Sequence, residues 1–300
     1  MAYSAGGLIE ATDYNNLING SNQLNTVWAV GTGNAGYGQT AISTVAATNT
    51  VTATQWATLI NTLNSARTHQ SGSGSGISAV TAGQTINHLS TLQTQVNSAY
   101  TNRLAYVVQG TTTTGSNFDV GISSTTGLSN YVTDRVVTFQ SANQARYFFN
   151  AGGQLNLVLS AINSADSGSE NSFSRLVTGL GGVGFRAAAN TGRIGSGITL
   201  NTNNTSFGYY NNVFNSATTL VQVTDTTASY TASTGYIQVY TSSSDTTNGA
   251  KGLNVVFRTV YSIADKTWDD TLSLTYRTRV DIVRPSTANL TNVWGTITVS

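Results

Sequence analysis

From residue 272 to residue 282 the side chains alternate without interruption. Leu272, Leu274, Tyr276, Thr278, Val280 and Ile282 fall on one side; Ser273, Thr275, Arg277, Arg279 and Asp281 fall on the other. Only an extended chain puts every second residue on the same face. A strand with one dry and one wet face belongs to an antiparallel sheet, because parallel sheets are covered on both sides. Leu253, Val255, Phe257 and Tyr261 alternate with Asn254, Arg258 and Ser262 in the same way. YIQVYTS (236–242) and VWGTITVS (293–300) add further strands, and the lone proline, Pro285, follows one, where its missing N–H costs little. So many two-faced strands predict an antiparallel β-sandwich, jelly-roll-like, over residues 106–300.

Ahead of residue 106 the period is helical. Trp56, Leu59, Ile60 and Leu63 are spaced three, four and seven apart. Tyr14-Asn-Asn-Leu17-Ile18-Asn19 echoes Trp56-Ala-Thr-Leu59-Ile60-Asn61, with Thr12, and Thr52 or Thr54, placed to cap the two helices. A third candidate runs from Thr81 to Arg103 through Ile86, Leu89, Leu92 and Val96, after the spacer SGSGSG (71–76). The chain reads as mainly β with a helical N-terminal part: three short helices in a 1–105 assembly or anchoring region, then a 106–300 sandwich domain. Residues 1–105 hold only four charges, Glu10, Asp13, Arg67 and Arg103. Uncharged helix faces admit two readings. Either they pack against neighbouring copies, with Leu17, Ile18, Trp56, Leu59 and Ile60 as the assembly residues, or they are an Asn/Thr-rich exterior.

Composition removes several function classes. Charged residues are 8% of the chain and the net charge is +1, against 49 Thr, 33 Ser and 30 Asn. Disorder goes with high charge and few aromatics, whereas 14 Tyr, 9 Phe and 4 Trp supply a core here. Two lysines, Lys251 and Lys266, and scattered arginines make no phosphate-binding patch, so no nucleic-acid partner is expected. No apolar run reaches membrane-spanning length. The opening MAYSAGGLIEATD lacks the basic region and apolar core of a secretory signal. Without cysteine there are no disulfides, thiolate metal sites or cysteine nucleophiles. A protein made in a cytoplasm and released by lysis within a particle satisfies all of these conditions.

The stretch SANQARYFFNAGGQLNLVLSA (141–161) reads as helix, glycine stop and core strand. Ser141 and Gln144 fit a capping box, Ala142, Ala145 and Phe149 share a face, and Gly152 sits where a helix ends left-handed. Leu155, Leu157 and Leu159 then point inward; a β-hairpin is the alternative. G-x-G-x-x-G occurs at Gly31, Gly33, Gly36 and at Gly179, Gly181, Gly184. A dinucleotide site needs a strand before, a helix after and an acid some twenty residues on. The first string follows a helix-like stretch ending in Trp28 and the second has no acid before Asp225, so both read as chance in a glycine-rich chain. His69 and His88 read as solvated helix-surface residues, too few for zinc and without a carboxylate for a triad. No metal and no cofactor are expected. Asp265, Asp269 and Asp270 in SIADKTWDDTLS read as turn residues, with a Ca²⁺ loop or a glycosidase acid–base pair as alternatives. Trp268, Asp269 and Asp270, and after them Tyr209 and Tyr210 in FGYYNN, are the candidate binding residues for sugar or partner.

GGLIEATDYNNLI (6–18), WAVGTGNAGYGQ (28–39), TVTATQWATLINTLNSARTHQ (50–70) and QARYFFNAGGQLNL (144–157) resemble segments of tailed-phage virion structural proteins, nearest those of cyanobacterial and other marine phages. The resemblance spans most of the chain. It implies a homo-oligomeric tail fibre, baseplate or neck appendage, and it carries neither catalytic residues nor an assigned ligand. Neither heptads nor a short fibre repeat occurs, which favours a compact appendage or collar over a shaft. The expected function is a non-enzymatic component of a phage virion that self-assembles and contacts neighbouring virion proteins or a host surface glycan, without membrane insertion. A tailspike-type glycan hydrolase using the Asp265 cluster and a bacterial surface-layer or filament subunit are the alternatives.

Overall fold

The computed structural model of the protein describes residues 10–124, 128–162, 168–227, 233–263 and 272–300. Among these residues, eleven strands form two antiparallel sheets. The first contains β1 (Gln109–Thr113), β2 (Phe118–Ser124), β4 (Gln154–Ala161), β5 (Gly182–Phe185) and the central β10 (Leu272–Pro285). One edge of β10 pairs with β4, from Val283↔Gln154 to Tyr276↔Ala161; its other edge pairs with β2 and then β1. The second sheet has six strands in the order β11 (Ile297–Val299), β3 (Leu128–Phe139), β9 (Asn254–Ile263), β8 (Thr234–Thr241), β7 (Thr218–Thr224), β6 (Thr199–Asn203). The expected fold class, a helical N-terminal part followed by a sandwich-like pair of antiparallel sheets, is what the chain adopts.

Alternation places the core as the sequence predicts. Leu274, Tyr276, Thr278, Val280 and Ile282 are buried, as are Val255, Phe257, Tyr261, Leu155, Leu157 and Leu159. Burying this apolar surface is the dominant favourable term in folding. Tyr276 and Thr259 also join the two sheets through their hydroxyls, 3.2 Å apart.

Two helices complete the sandwich core. α5 (Ala142–Asn150) begins at Ser141, whose hydroxyl accepts from the Gln144 N–H, and stops before Gly152 at φ +89°. This is the helix, stop and strand expected of residues 141–161, and the hairpin alternative falls. Only half of the capping box forms, because the Gln144 side chain turns to Gln140 at 3.2 Å. Phe148 and Phe149 pack on Phe139, and Phe149 stacks on Tyr209 at 4.4 Å. α6 (Gly168–Leu180) inserts Phe173 between Tyr261 of one sheet and Tyr276 of the other, at 4.7 and 5.5 Å. It is tethered by Asp225, 2% exposed, to which Ser172 and Arg175 donate at 2.6 and 2.7 Å. Burial pushes the Asp225 carboxyl up, but the bonds from Arg175, Ser172 and Thr227 outweigh it and hold it down at about 2.

Among its described residues the N-terminal part has four helices rather than three: α1 (Ala11–Ile18), α2 (Leu24–Trp28), α3 (Ala53–Ser71) and α4 (Leu89–Thr101). Thr52 caps α3, with Gln55 closing the capping box. Thr12 does not cap α1; it lies in the first turn, and the cap is Glu10, whose N–H bonds Asp13 at 3.0 Å. The third expected helix starts at Leu89, not Thr81, because the Gln84 side chain binds the Thr81 N–H at 2.8 Å and closes a turn ahead of it. Leu17, Ile18, Trp56, Leu59 and Ile60 all lie in one buried cluster with Tyr14, Leu63, Leu92 and Val96. That cluster is separate from the sandwich core, which reaches the N-terminal part through Val27, Trp28, Tyr37, Tyr100 and Leu104.

The asparagines of these helices explain part of their uncharged faces. Asn15 donates to the Val45 carbonyl and accepts from its N–H, at 2.7 and 2.9 Å. Asn25 grips Ile42 in the same two-point way at 2.8 and 2.9 Å, and Asn64 bonds Ile77 and Ser75. A side-chain amide carries a donor and an acceptor, so it pairs with extended backbone as another strand would. Gln39 does so across the two parts, holding the carbonyl and N–H of Thr291 at 3.0 and 2.8 Å. These amides satisfy the chain's own loops, which would otherwise leave backbone groups buried and unpaired.

Candidate functional site

The first glycine string is the place where the helical part and the sandwich lock together. Residues 29–38 leave α2 and wrap around the guanidinium of Arg146, a fully buried side chain on α5. Arg146 Nη1 donates to the carbonyls of Gly33 and Ala35, and Nη2 to those of Val30 and Gly31. Its Nε bonds Asn143 Oδ1 at 3.3 Å, and the guanidinium lies 4.9 Å from the Tyr147 ring centre. Four backbone carbonyls therefore meet the charge, and no carboxylate bonds it among the described residues. Burial lowers the Arg146 pKa, which the neighbouring tyrosines partly offset. Arginine suits this role because its planar fork presents five donors and keeps its charge when buried.

Glycine is required because the carbonyls must turn inward around one small group. Gly31 and Gly36 have φ of +54° and +99°, where a side chain is strained. A Cβ on Gly36 would stand 2.1 Å from the Val30 carbonyl oxygen, and one on Gly31 2.4 Å from that of Thr26. Asn150 donates to Gly36 at 3.0 Å, and the Tyr210 hydroxyl lies 2.8 Å from the Gly33 carbonyl and 2.7 Å from Asn150 Oδ1. A phosphate-binding loop aims N–H groups at an anion; this loop aims carbonyls at a cation. It is a clasp on the chain's own arginine.

The second string is also structural. Gly181, at φ +62°, ends α6 with its N–H on the Val177 carbonyl, and Gly184 lies in β5. Helix then strand is the reverse of the order a dinucleotide site requires.

The other sequence candidates are dispersed. Tyr209 is buried: it donates to the Gly252 carbonyl at 2.8 Å and accepts from the Lys251 N–H at 3.0 Å. Tyr210 is half-buried against the clasp. Burial raises the pKa of both hydroxyls. Asp265, Trp268, Asp269 and Asp270 lie outside the described residues. Leu17, Ile18, Trp56, Leu59 and Ile60 are each at most 2% exposed inside the chain's own helical core, so they present no surface to a neighbour.

His88 is exposed, as expected, but His69 is not a solvated surface residue. It is 3% exposed beneath Tyr37, ring centres 5.4 Å apart, and its Nε2 has no partner. Burial, partly opposed by a hydrogen bond with the Ala151 backbone, pushes its pKa down to about 4. The fold thus favours neutral His69, whose contribution is complete above the ordinary pKa of 6.5 and is lost as the pH falls through 6.5 towards 4. The loss amounts to about 3 kcal/mol at pH 4. Urea unfolding of the wild type and of His69→Gln at pH 7 and pH 4 checks this: the variant should lose less stability across the interval.

The wet face of the six-stranded sheet carries a polar row that the sequence did not single out. Thr219, Gln238, Arg258 and Asp134 are register neighbours on four adjacent strands. Gln238 bonds Thr219 at 3.1 Å, and Arg258 forks onto Asp134 at 2.9 and 2.8 Å. Among the described residues no group of three or more His, Asp or Glu is placed to hold a metal ion, and no helix is long and apolar enough to cross a membrane. No family model matches the chain, and the curated proteins and the solved structures likewise show no match.

Proposed function

We propose that the chain is a structural subunit of a tailed-phage virion, a compact tail, baseplate or neck appendage that self-assembles and works without catalysis. The observation that carries this reading is where the polar chemistry goes. Arg146 and Gln39 are spent on holding the helical part to the sandwich, and the helix asparagines on holding the loops of the helical part itself. Of the glycine strings, the first closes the clasp on Arg146 and the second ends α6 and enters β5 within the sandwich. The remaining surface offers hydroxyls, amides and half-exposed apolar side chains such as Val107, Val108, Ile194, Val213 and Phe214. Such surfaces bind weakly one at a time and strongly in multiple copies. The segments that resemble phage virion proteins include both halves of the clasp, residues 28–39 and 144–157.

Native mass spectrometry of the full chain tests assembly, and peptide mapping of purified phage particles tests location. A defined homo-oligomer and its presence in particles at fixed copy number are the expected results. A monomer at tens of micromolar that is also missing from particles overturns the proposal.

A further inference from the structure

We propose that the outer face of the six-stranded sheet binds a neutral pyranose ring in a depression beside Arg258. Asn215, Ala217, Tyr240 and Arg258 line a hollow of about 260 Å³. That is below the 300–1,000 Å³ typical of drug-sized ligands, so it suits a single ring.

One of its polar groups is held in place. Arg258 is held by the Asp134 carboxylate, and its Nη2 also reaches the Tyr240 hydroxyl at 3.1 Å. The guanidinium lies 5.0 Å from the Tyr240 ring centre. Nη1 of Arg258 makes no bond among the described residues and remains a donor. Asn215 sits in the left-handed region, φ +52°, on a turn whose N–H bonds the Thr241 carbonyl at 2.8 Å. Its side-chain amide also has no partner among the described residues, leaving a donor and an acceptor.

Charge decides the class of ligand. Asp134 cancels Arg258, so an anion gains little, and a cation finds no unpaired carboxylate. Adjacent ring hydroxyls each donate and accept, as Asn215 and Arg258 Nη1 require. Phe214, next in the chain and 49% exposed, adds an aromatic side chain at this turn. The site rests on the virion reading for the source of the sugar, a host surface glycan, but its binding is measurable without that reading.

The test is saturation-transfer NMR of the full-length protein with the methyl glycosides of glucose, galactose, mannose and N-acetylglucosamine. Each is supplied at about 10 mM, above the dissociation constant on the order of 1 mM expected for so few atoms. Transfer to at least one glycoside is expected. Ala217→Trp, at an exposed position, fills the hollow and should abolish it. Asn215→Gly keeps the backbone and removes the amide, and should weaken binding about tenfold, the effect of one lost hydrogen bond. Absence of transfer from all four glycosides, or equal transfer to the wild type and Ala217→Trp, overturns the site. Light scattering on the same samples separates the two proposals: an oligomer that ignores sugar sinks only the site, and a sugar-binding monomer sinks only self-assembly.

Discussion

Arg146→Met should destabilise the protein by about 3–5 kcal/mol, the cost of removing one side of a buried charged network. Methionine fills much of the volume but donates nothing, so the carbonyls of Val30, Gly31 and Ala35 lose their partner together, while that of Gly33 keeps the Tyr210 hydroxyl. An unsatisfied buried acceptor costs its full desolvation, which is why the loss exceeds that of one ordinary hydrogen bond. Arg146→Lys should fall between the two, because an ammonium cannot span four carbonyls with a planar fork. Denaturant unfolding measures the loss, and limited proteolysis localises it: cleavage within residues 29–38 should accelerate in the methionine variant. A methionine variant within 1 kcal/mol of wild type, with loop cleavage unchanged, would show that the clasp contributes nothing.

Trp56→Ala should cost a similar amount, about 3–5 kcal/mol, the range for truncating a buried tryptophan. Trp56 is 1% exposed and meets Tyr14 edge-on at 5.2 Å, joining α3 to α1. The whole of a domain's stability is commonly about 5–15 kcal/mol. The truncation should therefore open the helical part first, and hydrogen exchange over residues 11–18 and 53–71 should rise well before that of β9 or β10. Protection unchanged in those helices would refute the packing. The same logic governs Leu17, Ile18, Leu59 and Ile60: polar substitutions there change assembly only by unfolding what assembles.

Much of the architecture was legible in the residues. Leu274 to Ile282 show a period of two because one face of β10 meets core and the other meets solvent. Trp56 to Leu63 show a helical period for the same reason. Ser141 and Gly152 mark the ends of α5 because a helix terminus imposes a local demand, a hydroxyl acceptor at the start and a left-handed residue at the stop. Errors came where a periodic signal met a competing contact, near in one case and distant in the other. The third helix reads as starting at Thr81 until the Gln84 side chain takes the Thr81 N–H for a turn. His69 reads as exposed until Tyr37 covers it.

The candidate site was far less legible. In QARYFFN the arginine stands one turn below Asn150 and beside Ala145 and Phe149, a charge placed next to an apolar helical face. That misplaced charge was the only available signal of the clasp. Gln238, Arg258 and Asp134 gave none, since any wet strand face carries such residues.

By itself, the sequence determined the change from helical to alternating period near residue 106, the antiparallel character of the sheets and the stops at glycine. Each depends only on neighbours a few positions away and on which side of an element is wet. Tertiary structure alone decided what the Gly31–Gly36 loop encloses, which amides pair with backbone and which histidine loses water. Those outcomes depend on groups far apart in the chain, Arg146 and its carbonyls being 111 to 116 residues from one another. A residue's period records the side it faces, whereas its partner is set by whatever the fold brings there.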